Sequence, residues 1–285
     1  MILIADSGST KCEWCLVKDG KKNTITTTGI SPYFLTKDEI VVLLKKELIP
    51  KLKNLEALTV HYYGTGLAAA DNALMIKSAL KIVFGKAKIN VATDLLAAAR
   101  ALCGYEKGIV CILGTGSNSC YYNGNKIVKN SPGLGYVLGD EGSGAYLGKK
   151  VIQYMLYNTF DKELQLRFRE KFGIETAQIL DSVYKQPFPN RYLASFTPFL
   201  AENRGHYMIE NILEDGINDF FFTHLNKYAQ SRTSPINFVG SVAFAFKDVI
   251  KELCGRYKLE MGKIFKAPMN ELIKYHIATE NSRDV

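Results

Sequence analysis

Apolar runs and small-residue turns alternate along this chain, and the alternation repeats. Met1-Ile2-Leu3-Ile4-Ala5 and Ile109-Val110-Cys111-Ile112-Leu113 are unbroken apolar runs, the pattern of a strand buried on both faces. Each gives way at once to small residues: Asp6-Ser7-Gly8-Ser9-Thr10-Lys11 after the first, Gly114-Thr115-Gly116-Ser117 after the second. Glycine lets the backbone turn tightly and approach a ligand closely. Free amides and hydroxyls in such a turn make an anion-binding concavity. One copy alone is equally well an ordinary β-turn. Two copies, each continuing into a second alternating stretch (residues 12–17 and 120–128, the latter with Asn123-Gly124 as a hairpin turn), indicate a duplicated nucleotide-clamping half. The P-loop pattern Gly-x-x-x-x-Gly-Lys-Ser/Thr is absent.

Between the copies, threonine-rich residues 24–29 predict a third strand. Ile30-Ser31-Pro32-Tyr33 reads as a loop, because the residue before proline is pushed out of helix. Thr36-x-x-Glu39 is a capping box opening a helix to about Leu52. A strand over 58–63 ends at Gly64-Thr65-Gly66. A helix over 68–84, a short strand over 89–92 and an alanine-rich helix from Thr93-Asp94 to about Cys103 follow. The order β-β-β-α-β-α-β-α is complete before the second copy opens. That copy runs into a glycine-rich loop at 131–144, where the backbone approaches something closely or holds strain the fold needs. A helix is expected over 145–157 and helical periodicity over 162–230, where Ile209, Ile212, Leu213, Ile217, Phe220, Phe221 and Leu225 form a core stripe. Strand signal returns at 236–239, then Gly240-Ser241-Val242 opens a helix to Lys251, a turn suited to a nucleotide. A final strand is expected over 257–261 and a last helix over 269–277.

With 285 residues, 47% hydrophobic and 22% charged, the chain can bury large cores, and two domains are expected. The net charge of +8 comes from 36 basic residues interspersed with acids. That reads as a solvated surface with a basic cleft for an anionic substrate, not a nucleic-acid interface. The six cysteines are scattered, several inside apolar strands where a free thiol acts as a small hydrophobe. Cys12 and Cys15 have metal-like spacing, but on one strand they would point to opposite faces, so zinc and iron–sulfur binding are not expected. No signal peptide and no run of membrane-spanning length is apparent. Unpaired thiols then suggest a reducing cytoplasm, with no membrane partner.

Asp6-x-Gly8-x-Thr10, Asp94 at a strand-to-helix turn, Gly114-Thr115-Gly116-Ser117-Asn118, Gly139-Asp140-Glu141-Gly142-Ser143 and Gly240-Ser241 occur in the order seen in one family. The chain resembles the N-acetylglucosamine kinase and BadF/BadG/BcrA/BcrD-type ATPase family of the actin, sugar-kinase and heat-shock-chaperone superfamily, over almost its whole length. The resemblance implies an α/β fold of two ribonuclease-H-like domains, of the actin/hexokinase ATPase type, with a nucleotide cleft between them. The N-terminal ATPase domain would hold residues 1–115 plus 267–285, and a C-terminal domain with a helical insertion would hold 116–266.

The same resemblance implies ATP and Mg²⁺ as cofactors and a small-molecule sugar as partner. Gly8, Ser9, Thr10 and Lys11 with Gly114, Thr115, Gly116 and Ser117 would hold the phosphates of ATP, and Gly240, Ser241 and Val242 would line the adenosine pocket. Asp6 would reach Mg²⁺ through water, since that ion keeps much of its hydration shell. Asp94 would accept the sugar hydroxyl proton; its plain alternative is a helix N-cap. Asp94, Asp140, Gly133, Leu134 and Ser31 would contact the sugar. Two positions depart from the family pattern: Ser31 stands where asparagine is usual beside the proline, and Leu134 where some relatives place tryptophan. Both fall on substrate contacts, so the sugar is left open. The implied activity is ATP-dependent phosphorylation of an amino sugar, N-acetylglucosamine foremost. An ATPase activator of a radical dehydratase or reductase, and a non-catalytic sugar or nucleotide sensor, are the alternatives. The oligomeric state is left open, with a homodimer as the candidate assembly.

Overall fold

The computed structural model describes residues 1–8, 10–52 and 58–281, with the backbone alone at Asn281; Ser9 lies outside the described residues. The chain divides into two compact units, Met1–Tyr105 with the segment from Ala267 onward, and Glu106–Lys266.

In the first unit the sheet runs β3-β2-β1-β4-β5, built from β1 (Ile2–Ser7), β2 (Lys11–Lys18), β3 (Lys21–Thr28), β4 (Thr59–Gly64) and β5 (Lys88–Thr93). β1 pairs antiparallel with β2 and parallel with β4, and β4 parallel with β5. A parallel pair needs a crossover, supplied by α1 (Lys37–Glu47) between β3 and β4 and by α2 (Ala70–Phe84) between β4 and β5. The Thr36–Glu39 capping box opens α1 as expected, and the helix gives way near Leu48 to a 3₁₀ turn, Ile49–Lys51. The unbroken apolar run of β1 is explained by helices on both faces. Leu3 and Ala5 pack with Ile40, Leu44, Ile76 and Leu80. Ile2 and Ile4 pack with Ala97 and Ala101 of α3 (Asp94–Cys103) and with Leu272 and Ile273 of the C-terminal helix. Cys12 and Cys15 fall in these two different clusters, on opposite faces of the sheet.

The second unit repeats the topology. Its sheet order is β10-β9-β6-β7-β8, from β6 (Lys107–Leu113), β7 (Ser117–Asn123), β8 (Ile127–Ser131), β9 (Ile236–Val239) and β10 (Met261–Phe265). β6 pairs antiparallel with β7 and parallel with β9, so it is the counterpart of β1. Those pairings place it wholly in the second unit, whose boundary falls between Tyr105 and Glu106 and not at 115. Helices α4 (Gly135–Leu138), α5 (Gly144–Leu156), α6 (Lys162–Phe172), α7 (Thr176–Tyr184), α8 (Pro189–Ala194), α9 (Thr197–Glu202) and α10 (Tyr207–Thr223) lie between β8 and β9. The stripe of α10 is buried in this unit's core, together with Ile109, Cys111 and Leu113 of β6. Two short helices, α11 (Ser241–Ala245) and α12 (Lys247–Arg256), follow β9, and α13 (Met269–Asn281) ends the described chain. The last strand starts at Met261 and not at Tyr257. α12 extends to Arg256, Tyr257 forms its C-cap, and Lys258 turns the chain with a positive φ of 54°.

Glycine permits the close contact between α5 and α8. A Cβ on Gly148 of α5 would lie 1.9 Å from the Leu193 carbonyl oxygen in α8. Backbone cannot yield as a flexible side chain can, so Gly148→Ala is expected to destabilise the protein by about 1–3 kcal/mol, the range for overpacking. A urea unfolding midpoint equal to that of the parent chain would show that these helices separate freely.

Candidate functional site

Parallel strands end on one edge of their sheet, and ligands of open α/β sheets bind outside those carboxyl ends. In the first unit Asp6 stands near the end of β1, in register with Tyr63 of β4, and Asp94 follows Thr93 at the end of β5. Thr93 is the N-cap of α3, its hydroxyl accepting from the Leu96 amide at 3.2 Å. Asp94 is therefore the first helical residue and not the cap; its Oδ1 accepts from the Leu95 amide at 2.8 Å. Burial holds the Asp94 carboxyl above the ordinary carboxylate range, against the opposing Leu95 amide. Asp6 is pushed up to about 7, first by burial, then by the negative charges of Asp94 and Glu13, with Lys11 opposing. Glu13 pairs with Asp6 across the β1–β2 ladder. Its influence on Asp6 depends on that pairing and had no motif to announce it.

The turn after β1 is pinned from below. The Ser7 hydroxyl is buried, accepts from the Ile30 amide at 3.1 Å and lies 3.2 Å from the Ile30 carbonyl oxygen. Gly8 closes the turn with an amide hydrogen bond to the Lys11 carbonyl (3.0 Å), leaving Gly8, Thr10 and Lys11 exposed. Ser31 is only 3% exposed and its hydroxyl accepts from the Tyr33 amide at 3.4 Å. The residues this segment presents to solvent are Tyr33 and Phe34.

The second unit gathers its candidates around the turn between β6 and β7. Gly114 donates to the Gly116 carbonyl (3.0 Å), and the amides of Gly144 and Ala145, opening α5, donate to the carbonyls of Gly114 (2.8 Å) and Thr115 (3.0 Å). Asp140, 8% exposed and with a φ of 59°, accepts from the Ser117 amide at 3.1 Å. Burial raises the Asp140 carboxyl, while that amide works the other way; Glu141 adds to the rise, and His224 and Lys149 oppose it. The turn fits a phosphate group. Among the described residues, its own hydrogen bonds do not use the Thr115 and Gly116 amides. The buried Ser117 hydroxyl has no partner either. The glycines are where space demands them: a Cβ on Gly116 would lie 3.0 Å from Asp140 Oδ2, and one on Gly133 2.6 Å from the Ser117 carbonyl oxygen.

Gly240, between β9 and α11, has a φ of 131°, and a Cβ there would lie 2.1 Å from the Leu113 carbonyl oxygen. It thus lies directly against the end of β6. Ser241 beside it is exposed, whereas Val242 is buried in the core, so the wall of this turn consists of Gly240 backbone and Ser241. Leu134 is 59% exposed. The unit thus brings Gly114, Thr115, Gly116, Ser117, Gly133, Asp140 and Gly240 together. The described residues contain no group of three or more His, Cys, Asp or Glu side chains suited to a metal. Asp6 as a single carboxylate suits Mg²⁺ all the same, because that ion is usually bound by one or two carboxylates, waters and substrate phosphates. No helix among the described residues is long and apolar enough to cross a membrane.

A model of the BadF/BadG/BcrA/BcrD ATPase family matches residues 5–262. A Porphyromonas gingivalis protein described as a "putative N-acetylglucosamine kinase" superposes with a TM-score of 0.93 at 40% identity, covering 97% of this chain and 98% of that one. A Chromobacterium violaceum protein described in the same words superposes at 0.72 with 17% identity, over 96% of this chain and 98% of the other, a likeness of fold. The N-acetylmuramic acid/N-acetylglucosamine kinase of Clostridium acetobutylicum is 25% identical over 201 residues, spanning 66% of this chain and 65% of that kinase's length.

The raised Asp6 sets a direction for stability. Its folded-state pKa, about 7, exceeds the ordinary 3.8, so between those values the native state holds more protons than the unfolded one. Its contribution to stability is present at low pH and lost as pH rises through 7. Asp6→Asn cannot ionise, and its Tm advantage over the parent chain is expected to grow from pH 5 to pH 8. A constant difference across a scanning-calorimetry pH series would remove Asp6 as a group with a raised pKa in the folded chain.

Proposed function

The chain belongs to the BadF/BadG/BcrA/BcrD ATPase family, and from that premise we propose that it is an ATP-dependent kinase of an amino sugar, with N-acetylglucosamine as substrate and its 6-phosphate as product. One observation carries the reading: a desolvated carboxylate, Asp94, opens a helix that Thr93 already caps. A cap needs no raised pKa; a general base working near neutral pH gains from one.

In this reading the sugar hydroxyl oxygen bonds to the γ-phosphorus of ATP, the bond to the ADP oxygen breaks, and the hydroxyl proton passes to Asp94. Such transfer depends chiefly on positioning and on charge stabilisation. Gly8, Ser9, Thr10 and Lys11, with Gly114, Thr115, Gly116 and Ser117, hold phosphate oxygens through amides and hydroxyls. Asp6 is the residue that would hold Mg²⁺, which supplies charge neutralisation at the transferring group. Gly240 and Ser241, backed by buried Val242, border the nucleoside. Asp140, Gly133 and Leu134 contact the sugar, and Ser31 shapes the segment that presents Tyr33 and Phe34. A cytoplasmic site of action and a sugar partner without nucleic acid belong to the same proposal.

N-acetylmuramic acid is a second substrate to test. The Clostridium relative is named for both sugars, and the two departures, Ser31 and Leu134, fall where a sugar substituent would be read. The burial of all six cysteines favours the kinase over an activator holding a cluster at its surface. A coupled ADP assay with a panel including both sugars tests the proposal. Sugar-independent ADP release, or none with any sugar, would reject it.

Asp94→Asn is expected to lower kcat by about 10²–10⁴-fold, the usual effect of losing a general base, with a Tm no lower than the parent's because Thr93 still caps α3. Near-normal turnover would move the base elsewhere. Asp6→Asn should depress kcat far more than it weakens sugar binding measured by calorimetry. Equal losses in both would take Asp6 out of the metal role.

A further inference from the structure

One imidazole ties together the two ends of the glycine-rich segment. His224 forms the C-cap of α10 and is 2% exposed. Its Nδ1 lies 3.0 Å from the hydroxyl of Ser131, the last residue of β8, and its Nε2 lies 3.2 Å from Glu141 Oε2. An ionised carboxylate only accepts, so Nε2 carries a proton, while the Ser131 hydroxyl can serve Nδ1 as donor or acceptor. Residues 132–140 lie between these two attachments and include Gly133, Leu134 and Asp140.

Both attachments are themselves fixed. The Ser131 amide donates to the Tyr228 hydroxyl at 2.6 Å, and that hydroxyl lies 2.9 Å from Ser119 Oγ on β7. The imidazole packs against Phe220 with ring centroids 4.8 Å apart. Gly142, just past Glu141, fits against the same phenylalanine, where a Cβ would lie 2.9 Å from the Phe220 Cβ. Within the segment, Gly139 sits so close to Leu134 and Glu141 that a Cβ would lie 3.1 Å from the Leu134 Cβ and 3.4 Å from Glu141 Oε2. A buried imidazole is unfavourable unless its nitrogens are paired. Here the two nitrogens meet opposite ends of one loop, and closing a loop removes conformational freedom that a ligand would otherwise have to remove on binding.

We propose that His224 is a positioning residue, a clasp that joins Ser131 to Glu141, holds segment 132–140 in its sugar-binding form and so sets sugar affinity without touching the reacting atoms. The link to sugar rests on the kinase reading above; the clasp itself does not.

The test compares His224→Asn, Glu141→Ala and the conservative Glu141→Gln, which keeps an acceptor for Nε2. Amide hydrogen exchange is read first, on the full chain without ligands. In His224→Asn and in Glu141→Ala, exchange across 132–140 should quicken about tenfold or more while that of β6 and β7 stays unchanged. Glu141→Gln should stay near the parent. Steady-state kinetics should then show the sugar KM rising about five- to fifty-fold with kcat and the ATP KM within about threefold. The double variant should be no worse than the worse single one, as expected for two partners of one interaction.

Parent-like exchange in 132–140 for both variants would overturn the clasp. Quickened exchange with an unchanged sugar KM would overturn its role in sugar affinity and leave the kinase reading standing. If the parent chain phosphorylates no sugar, the kinase reading and the sugar role fall together, and exchange still decides the clasp. Should His224→Asn fail to fold, Glu141→Ala, altering a side chain with 19% exposure, carries the decision alone.

Discussion

Two parallel strands cannot be joined by a tight turn, and this constraint shapes both units. β1 lies beside β4 and β6 beside β9, so each pair needs a crossover that returns the chain to the same end of the sheet. A helical crossover then covers a face of that sheet, and β1, with helices packed on both faces, cannot carry polar side chains until it ends. The candidate residues collect at strand ends: Asp6 and Asp94 at one edge of the first sheet, Gly114–Ser117 and Gly240 at the corresponding edge of the second. Strand ends are where the backbone can open toward a ligand.

The two units handle negative charge differently. In the first, burial and then the negative charges of Asp94 and Glu13 raise the cost of ionising Asp6, with Lys11 as partial relief. This arrangement opposes folding at neutral pH, and it suits a site that takes up a cation or a proton. In the second, Asp140 is buried too, but its carboxylate accepts the Ser117 amide and lies near His224 and Lys149. It reads as a brace of the phosphate turn as much as a sugar contact.

Much of the architecture was legible because it rests on local rules. The apolar runs of β1 and β6, the Thr36–Glu39 capping box and the β-β-β-α-β-α-β-α order follow from periodicity and caps. The separation of Cys12 and Cys15 onto opposite faces follows from the two-residue repeat of a strand. Contacts made only in three dimensions were hidden. Val242 directly follows the exposed Ser241, yet the helical turn sends it into the core. Ser31 belongs to a loop, but the loop folds its hydroxyl inward. The strand expected at 257–261 failed because α12 had enough buried residues, Val249, Ile250, Leu253 and Cys254, to continue through Arg256. His224 stands 83 residues from Glu141, and nothing local announces their meeting.

The two turns share a sequence pattern but are held by different contacts among the described residues. After β1, Gly8 bonds to the Lys11 carbonyl, the Gly29 amide donates to the Thr10 carbonyl, and the Ser7 hydroxyl is tied to Ile30, while Thr10 and Lys11 remain exposed. After β6, the turn is held by its own Gly114–Gly116 bond, by two amides from the start of α5, by Asp140 and by the close approach of Gly240. These contacts leave the Thr115 and Gly116 amides and the Ser117 hydroxyl free of the turn's own bonds. A turn fixed in this way presents donors whose positions are set before a phosphate arrives, so little ordering remains to oppose binding. The second unit's turn therefore holds its free donors in place through its own contacts. The first unit's turn instead carries exposed Thr10 and Lys11 beside Asp6, whose ionisation is opposed by burial and by neighbouring negative charge.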